Sequence, residues 1–172
     1  MNDIIIRPMK PQDEADINAA LRAMGWDERP GLYTRYMAEE QAGKRLTFVA
    51  EKDGVPLGYV TLVKEPEHGP FAGKKWPEIM DFNVFERYRR QGVGSALMDA
   101  AEAAAADYSD VITIGVGLYD SYGSAQRMYV KRGYVPDGSG VWYKNRPLPP
   151  YEPCLNDDDL VLYFSKPTAK AQ

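Results

Sequence analysis

The sequence has little of the chemistry on which many enzyme classes depend. It contains one cysteine, Cys154, and one histidine, His68, among 172 residues. A single cysteine cannot form an internal disulfide, and these two residues cannot make a Cys/His zinc site. Ser–His or Cys–His catalysis would have to use His68, which lies in a Pro- and Gly-rich stretch that is typical of a solvated loop.

Long hydrophobic runs and an excess of positive charge are also missing. No stretch approaches the roughly 18 apolar residues of a membrane span, and the N-terminus turns acidic where a secretory signal needs an apolar core. The formal net charge is -4 and the isoelectric point is about 5.1. This balance argues against broad binding to nucleic acid or to anionic membranes and favours small cationic partners. We expect a cytoplasmic protein with neither nucleic acid nor membrane as a partner.

What is present is typical of one globular domain. The composition is 44% hydrophobic and 27% charged, and hydrophobic residues alternate between strand and helix periods along the chain. We predict a single α/β domain over residues 1–166 and a frayed tail over 167–172. The predicted elements are, in order, a strand at 4–9, helices from 13 and from 32 to 43, a hairpin around 53–54, a long loop at 65–77, a strand at 78–85, a helix at 92–106, a strand at 111–119, a helix at 124–132, a Pro-rich loop and a closing strand at 159–165.

The chemistry begins where a strand runs through a short glycine-bearing loop into a helix. Gly92 and Gly94 lack side chains, so the backbone N–H groups of Gln91, Gly92, Val93, Gly94 and Ser95 can close around an anion at the helix N-terminus. Arg89 and Arg90 precede them and supply matching positive charge. The loop fails the dinucleotide fingerprint at Leu97 and lacks the Gly-Lys-Ser/Thr of the P-loop. The pattern therefore predicts a pyrophosphate cradle of another kind.

Three motifs together resemble the GNAT superfamily of N-acetyltransferases. Residues 89–94 match its acetyl-CoA motif Arg/Gln-x-x-Gly-x-Gly/Ala, and the strand IMDFNV precedes that motif at the family's usual distance. The segment SAQRMYVKRGYV matches the family's closing pattern at Ala125, Met128, Tyr129, Gly133 and Tyr134. One departure is Tyr122, which stands where an asparagine is often found.

The resemblance implies a fold and an activity. The fold would be a mixed, mostly antiparallel sheet of about six to seven strands with about four helices, in which the fourth and fifth strands splay apart. The activity would be transfer of an acetyl group from acetyl-CoA, the co-substrate, to a primary amine of a small acceptor by direct attack on the thioester. Backbone N–H groups around Phe82, Asn83 and Val84 would hold the developing oxyanion. The resemblance leaves open whether the chain forms a homodimer.

Two carboxylates on the fourth predicted strand are candidates for the base that an amine needs. An alkylamine near pKa 10 is almost wholly protonated at neutral pH and must lose a proton to attack. With period two, Asp81 faces one way and Glu78 the other. We favour Asp81, since it lies within an otherwise apolar run where an unpaired carboxylate is costly unless it is used. The alternatives for the base are Glu78 and water. Either carboxylate could instead form a structural ion pair with an arginine.

Tyr129 matches the family's tyrosine that protonates the departing thiolate, and a phenol near pKa 10 is protonated at neutral pH. Alternatively, Tyr129 is only a core aromatic residue, and Tyr119 or Tyr122 nearby protonates the thiolate.

The resemblance implies that the first two helices and the last hairpin form the acceptor pocket. These segments hold Trp26, Asp27, Glu28, Tyr33, Tyr36, Trp142, Tyr143 and Tyr151.

Three other interpretations bear on these residues. Asp157, Asp158 and Asp159 are interpreted as a solvated turn, and we expect no metal. A non-catalytic acetyl-CoA or CoA binding module would keep the glycine cradle and leave Tyr129 idle. A nucleic-acid module would have to depend on Arg87, Arg89 and Arg90 without interleaved aromatic residues.

The cradle generates a ligand prediction. Acetyl-CoA should raise the melting temperature while NAD and ATP should not, because the loop matches one ligand class and fails the fingerprints of the other two. Differential scanning fluorimetry with each ligand at the same concentration checks this. Equal shifts from all three ligands would mean that the loop is a generic anion site.

Overall fold

The computed structural model describes residues 4–171 and contains four α-helices and eight strands within them. The helices are α1 (Asp13–Ala23), α2 (Leu32–Gln41), α3 (Val93–Ala106) and α4 (Gly123–Lys131). The strands are β1 (Ile5–Arg7), β2 (Arg45–Lys52), β3 (Val55–Val63), β4 (Glu78–Val84), β5 (Val111–Gly117), β6 (Val135–Tyr143), β7 (Arg146–Pro147) and β8 (Leu160–Pro167). The predicted α/β class is confirmed, and the number of strands is slightly higher than expected.

The chain forms two compact units. The first runs up to Lys64 and continues from Ile79 to Ala104, and the second comprises Glu65–Glu78 and the chain from Ala105 onwards. Most of β4 belongs to the first unit and β5 to the second, and the predicted splay between them stays a prediction. The single-domain boundary at residue 166 also stays a prediction, and residues 1–3 and 172 lie outside the described chain.

In the first unit the strands follow the order β1-β2-β3-β4. The pairs β1–β2 and β2–β3 are antiparallel, and the hairpin between β2 and β3 turns at Asp53 and Gly54, as predicted. Both residues have positive φ, which is the requirement of a type I′ turn. The helices α1 and α2 bury one face against this sheet. Its core includes Ile17, Leu21, Tyr33, Val49 and Tyr59, all fully buried.

In the second unit the order is β5-β8-β6-β7, and all three pairings are antiparallel. The prediction of a Pro-rich loop after α4 is wrong for residues 135–143, which form β6. Gly138 and Gly140 have positive φ, and the register of β6 on β8 shifts between Pro136 and Val141. Glycine and proline in a strand mark such irregularities, and they hide the strand from a periodicity search.

The C-terminal end of the described chain is anchored. Pro167 ends β8, and the backbone N–H of Thr168 donates to the Asp110 carbonyl at 2.9 Å. The buried Thr168 hydroxyl also donates to the Ser109 carbonyl at 2.6 Å. Two residues of the predicted tail are thus part of the fold.

Three helices end in the same backbone arrangement, which fixes the residues that follow them. After α4, Gly133 has φ 91° and donates to the Val130 carbonyl, while Tyr134 donates to the Tyr129 carbonyl, both at 3.0 Å. This is the Schellman motif, in which glycine takes the left-handed position. The Tyr129 and Tyr134 rings pack edge to face across it, 6.0 Å apart. Glycines 25 and 43 end α1 and α2 in the same way.

No helix among residues 4–171 has the length and apolar character needed to cross a membrane.

Candidate active site

The predicted cradle lies in the first unit, between β4 and α3. Arg90 has φ 59° and Gly92 has φ 84°, so the chain turns twice through the left-handed region before α3 begins at Val93. A chain that alternates in this way turns successive N–H groups toward one side, and the first N–H groups of a helix have no partner within it. A Cβ at Gly92 would meet no atom within 4 Å, so the space beside this residue is open. The loop therefore fits an anionic phosphate group.

The side chains around the cradle are held by their neighbours. Arg89 donates from Nε to the Val84 carbonyl at 3.0 Å, and Gln91 donates from Nε2 to the Arg87 carbonyl at 2.9 Å. The Arg87 guanidinium lies over the Tyr88 ring, 4.6 Å from Cζ to the ring centroid. Two of the three arginines that a nucleic-acid module would need therefore make local contacts. Ser95 is exposed on the first turn of α3.

Asp81 lies in the same unit, in the middle of β4. Its carboxylate accepts hydrogen bonds from Arg29 at 3.1 Å, Tyr36 at 2.9 Å, Tyr59 at 3.0 Å and Asn83 at 3.2 Å. The next residues, Phe82, Asn83 and Val84, are half-buried. The structure thus brings together Asp81, Tyr36 and Arg29, of which sequence reasoning missed Arg29 because 52 residues separate it from Asp81.

Glu78 belongs to the second unit and has a different environment. It is 5% exposed, and its Oε2 is buried with no hydrogen-bond partner in the described part of the chain. The preceding residue, Pro77, accepts hydrogen bonds from the backbone N–H and the hydroxyl of Thr113, both at 2.9 Å, which fixes the chain beside β5. Burial raises the pKa of Glu78 from 4.5 to about 8. A carboxyl group in this state accepts a proton readily near neutral pH.

The second unit also contains an aromatic cluster, which we define as Phe71, Trp76, Trp142 and Tyr163. Tyr163 packs edge to face on Phe71 at 5.7 Å and on Trp142 at 5.8 Å. Burial, and next to it the charge of Glu78, raises the pKa of the Tyr163 hydroxyl to about 12. The ammonium of Lys74 lies 4.9 Å from the Trp76 ring centroid and 5.9 Å from that of Phe71. The Lys74 ammonium therefore makes cation–π contacts with both rings.

Tyr129 is buried in the second unit, with 4% of its surface exposed. Burial alone raises the pKa of its hydroxyl, which keeps the phenol protonated at neutral pH. The Schellman motif at the end of α4 fixes its backbone carbonyl and its ring. Tyr129, Gly133 and Tyr134 therefore have the sequence spacing that this helix cap requires.

The two substitute tyrosines form a separate group with Asp158. The hydroxyls of Tyr119 and Tyr122 both donate to Oδ1 of Asp158, the latter at 2.8 Å. Their rings pack edge to face at 4.8 Å, and the Tyr122 ring fills the space that a side chain at Gly117 would need. Asp157 accepts a hydrogen bond from the Tyr143 hydroxyl at 3.4 Å and from the Asp159 backbone at 3.0 Å. Within residues 4–171 no group of acidic, Cys or His side chains has the arrangement to hold a metal ion.

The residues expected to form the acceptor pocket do not share one environment. Tyr33 and Tyr36 are buried in the core of the first unit, whereas Trp26 is exposed there. In the second unit Tyr151 is fully exposed and Trp142 joins the aromatic cluster. Sequence reasoning missed Phe71, Trp76 and Tyr163 because they lie in a long loop and a distant strand, with no local pattern that connects them.

Comparisons with known proteins identify the family and the fold. The model of the acetyltransferase (GNAT) family matches residues 16–134. No curated protein sequence matches the chain. The Salmonella typhimurium protein yncA, solved with its cofactor acetyl-CoA, is similar with a TM-score of 0.68 and 16% identity, covering 96% of this chain and 94% of that one.

Two further solved structures have the same fold with different named acceptors. The ribosomal-protein-S18-alanine N-acetyltransferase of Escherichia coli has a TM-score of 0.65 and 15% identity, over 96% of this chain and 94% of that one. A spermidine N-acetyltransferase SpeG chimera from Vibrio cholerae and hSSAT has a TM-score of 0.69 and 15% identity, over 98% of this chain and 97% of that one. At such identities the likeness establishes the fold alone.

The family match covers most of the chain, so this protein belongs to the GNAT acetyltransferase family. It is an acyl-CoA-dependent N-acyltransferase, and acetyl-CoA is its co-substrate. Membership of a family of enzymes sets aside the non-catalytic binding module.

The buried carboxyl of Glu78 generates a stability prediction. Its pKa is about 8 in the fold against 4.5 as the ordinary value, so folding favours its protonated form. The stability that this protonation contributes is complete below pH 4.5 and is lost as the pH rises through 8. Glu78→Gln keeps a neutral side chain at every pH, so it should unfold at a higher temperature than the natural protein at pH 9 and at a similar one at pH 4.

The expected gain at pH 9 is on the order of 2 to 5 kcal/mol, which corresponds to a melting temperature higher by at least about 5 °C. Thermal unfolding followed by circular dichroism at several pH values measures it. The matched control is Glu67→Gln, which changes an exposed glutamate of the same unit and should show no such difference. Parallel curves for the natural protein and Glu78→Gln across this range would contradict the burial of an ionisable Glu78.

Proposed function

We propose that this enzyme acetylates the primary amine of a small cationic acceptor, with Glu78 as the general base and Tyr129 as the general acid. The observation that carries the proposal is the buried carboxyl of Glu78, whose Oε2 has no hydrogen-bond partner among residues 4–171. A buried, unsatisfied carboxyl group is costly, and use in proton transfer is a physical reason for its presence.

The choice of Glu78 over Asp81 follows from their partners. Asp81 accepts four hydrogen bonds, one of them from the Arg29 guanidinium, so its lone pairs are committed. Burial raises the pKa of Glu78 to about 8, which is much closer to that of an alkylammonium than an ordinary carboxylate is. The sequence preference for Asp81 is therefore reversed in this proposal.

The aromatic cluster and the overall charge support a cationic acceptor. An ammonium that enters beside Glu78 would meet a carboxylate and aromatic faces, and cations bind such faces by electrostatic attraction. Lys74 already places its ammonium over Trp76 and Phe71. The net charge of -4 favours the approach of a cation over that of an anion.

The proposed reaction uses these groups in turn. Acetyl-CoA supplies the activated acetyl group. Glu78 takes a proton from the acceptor ammonium, and the freed amine attacks the thioester carbon. The backbone N–H groups of Phe82, Asn83 and Val84 stabilise the negative charge on the thioester oxygen, and Tyr129 gives its proton to the thiolate as the carbon–sulfur bond breaks. The nitrogen loses its second proton to water to give the neutral amide, and water returns a proton to Tyr129.

The remaining proposed roles concern the co-substrate's phosphates. The N–H groups of Gln91, Gly92, Val93, Gly94 and Ser95 would bind the pyrophosphate, and Arg89 and Arg90 would supply positive charge. The open space beside Gly92 and the left-handed turns at Arg90 and Gly92 support this assignment.

A panel of amines tests the function, with Glu78→Gln as the decisive variant. Small alkylamines and polyamines should be acetylated better than zwitterionic amino acids or peptide N-termini, as measured by thiol release and mass spectrometry of the product. For the best amine, kcat/KM of the natural enzyme should rise with pH along a limb near pH 8, because this profile reports the free enzyme. Glu78→Gln should lose that limb and about 10²- to 10⁴-fold in rate.

The control for the amine experiment is Glu67→Gln, which should keep both the rate and the limb. Preference for peptide N-termini would contradict the small acceptor. A Glu78→Gln enzyme with the natural rate and limb would transfer proton removal to another group or to water.

Tyr129→Phe tests the general acid. The substitution removes one hydroxyl and keeps the ring that packs on Tyr134, so turnover should fall about 10²- to 10⁴-fold while acetyl-CoA affinity changes little. Tyr122→Phe serves for comparison and should lose less, since its hydroxyl donates to Asp158. Steady-state kinetics and calorimetry give the two quantities. If the folded Tyr129→Phe enzyme keeps a rate within about threefold of the natural one, Tyr129 is a core aromatic residue and not the general acid.

A further inference from the structure

Asp81 adopts a backbone conformation that is rare inside a strand. Its φ is +50°, in the left-handed region, although β4 continues on both sides of it. A left-handed residue in a strand is the geometry of a bulge, which interrupts the ladder and redirects the backbone that follows. Aspartate tolerates this region better than most residues, yet such a conformation persists only where the surroundings hold it.

Four side chains from different parts of the first unit hold the carboxylate of Asp81. Tyr36 comes from α2, Tyr59 from β3 and Arg29 from the segment between α1 and α2, while Asn83 lies two residues further along β4. Tyr59 donates its single proton to Asp81, so Tyr33, whose hydroxyl lies 3.2 Å away, must donate to Tyr59. The side chain of Asp81 is only 14% exposed. Its position is thus determined from several directions.

The groups that hold Asp81 are themselves fixed. The backbone N–H of Arg29 donates to Oδ1 of Asn18 at 2.6 Å. The N–H groups of Gly31 and Thr34 donate to the two carboxylate oxygens of Glu14 at 2.7 Å. The Arg45 guanidinium lies over the Tyr36 ring, 4.1 Å from Cζ to the centroid. The segment and the helix that reach Asp81 are therefore anchored to α1 and β2.

The backbone on either side of Asp81 is tied to β3. The Met80 carbonyl accepts a hydrogen bond from the Thr61 hydroxyl at 2.7 Å, and the Phe85 N–H donates to the Leu57 carbonyl at 3.0 Å. Gly58 permits a close approach, since a Cβ there would lie 2.4 Å from the Asn83 carbonyl oxygen. These contacts leave the segment from Asp81 to Val84 with little freedom, and it is the segment whose N–H groups would stabilise the oxyanion.

We propose that Asp81 is a positioning residue, whose carboxylate holds the bulge of β4 so that the N–H groups of Phe82, Asn83 and Val84 point at the thioester oxygen. This inference rests on the proposed function. It assigns to Asp81 a role through the backbone, and it makes Arg29, Tyr36 and Tyr59 supports of the same bulge. Displacing donors by about 1 Å from a reacting oxygen can cost about 10²-fold in rate.

Three substitutions at residue 81 separate this role from that of a base. Asparagine adopts positive φ and keeps one oxygen acceptor for the two tyrosines. Glycine also adopts positive φ but offers them nothing, and alanine lacks both properties. We expect kcat to fall by less than about tenfold in Asp81→Asn, by more in Asp81→Gly and by about 10²-fold or more in Asp81→Ala. KM for acetyl-CoA should change little, and the acid limb near pH 8 should persist in all three.

A second readout needs no turnover. Amide hydrogen exchange at Phe82, Asn83 and Val84 should be faster in Asp81→Gly and Asp81→Ala than in Asp81→Asn, while exchange in α3 stays unchanged. Tyr36→Phe and Tyr59→Phe each remove one support with little change in shape and should raise exchange at the same amides to a smaller extent. These two variants keep the test available if Asp81→Ala does not fold.

The outcomes separate the two proposals. Equal losses in the three variants together with loss of the acid limb would overturn this inference and make Asp81 the base. Unchanged rates in the folded variants would also overturn it, as would unchanged exchange at residues 82–84 in Asp81→Gly. If the natural protein acetylates no amine, the proposed function fails, and the exchange experiment alone still decides whether Asp81 holds the bulge.

Discussion

Four side chains converge on the carboxylate of Asp81, and most of the first unit is organised around that convergence. The hydrogen bonds join α2, β3, β4 and the segment between α1 and α2, in addition to apolar packing and backbone contacts. A charged acceptor makes stronger hydrogen bonds than a neutral one, and the partly buried setting strengthens them further. These bonds compensate for a backbone conformation that a strand would not otherwise adopt. Apolar packing gives the unit its stability, and this network fixes the direction of β4.

The two carboxylates of β4 show how environment divides roles between like groups. Asp81 is satisfied by four donors, one of which is a guanidinium. Glu78 is almost fully buried, which raises its pKa and leaves one of its oxygens without a hydrogen-bond partner among the described residues. A carboxylate whose oxygens all accept hydrogen bonds suits a structural task, while a carboxyl group with an unsatisfied oxygen and a raised pKa suits proton transfer. Both side chains end in the same carboxyl group.

The sequence predicts most of the elements and the place of the cradle, because these depend on local patterns. The hairpin at Asp53 and Gly54 and the helix start after Gly92 follow from turn and capping preferences of a few adjacent residues. The family can also be predicted from the sequence, since its motifs are short and closely spaced. The strand β6 cannot be predicted in this way, because Pro136, Gly138 and Gly140 interrupt its pattern. Its position in the sheet is decided by pairing with β8.

The division of labour between Glu78 and Asp81 could not be obtained from periodicity. The apolar run around Asp81 suggests an unpaired carboxylate, but three of its four hydrogen-bond donors lie 22 to 52 residues away along the chain. The same holds for the aromatic cluster, which joins Phe71 and Trp76 of a long loop to Trp142 and Tyr163 of two strands. Local pattern predicts where a functional side chain lies along the chain, and only tertiary contacts decide whether it is free to act. The site assignments remain proposals for this reason.

The close approach at Gly58 has a consequence for how the sequence can vary. The Asn83 carbonyl occupies the space that the smallest side chain at position 58 would need, and it is backbone that cannot rotate away. Even alanine would have to separate β3 from β4 just where the bulge is held. In a scan of all substitutions, residue 58 should therefore tolerate as few changes as a residue of the catalytic machinery, although it carries no side chain. Its importance would come from the volume that it leaves empty.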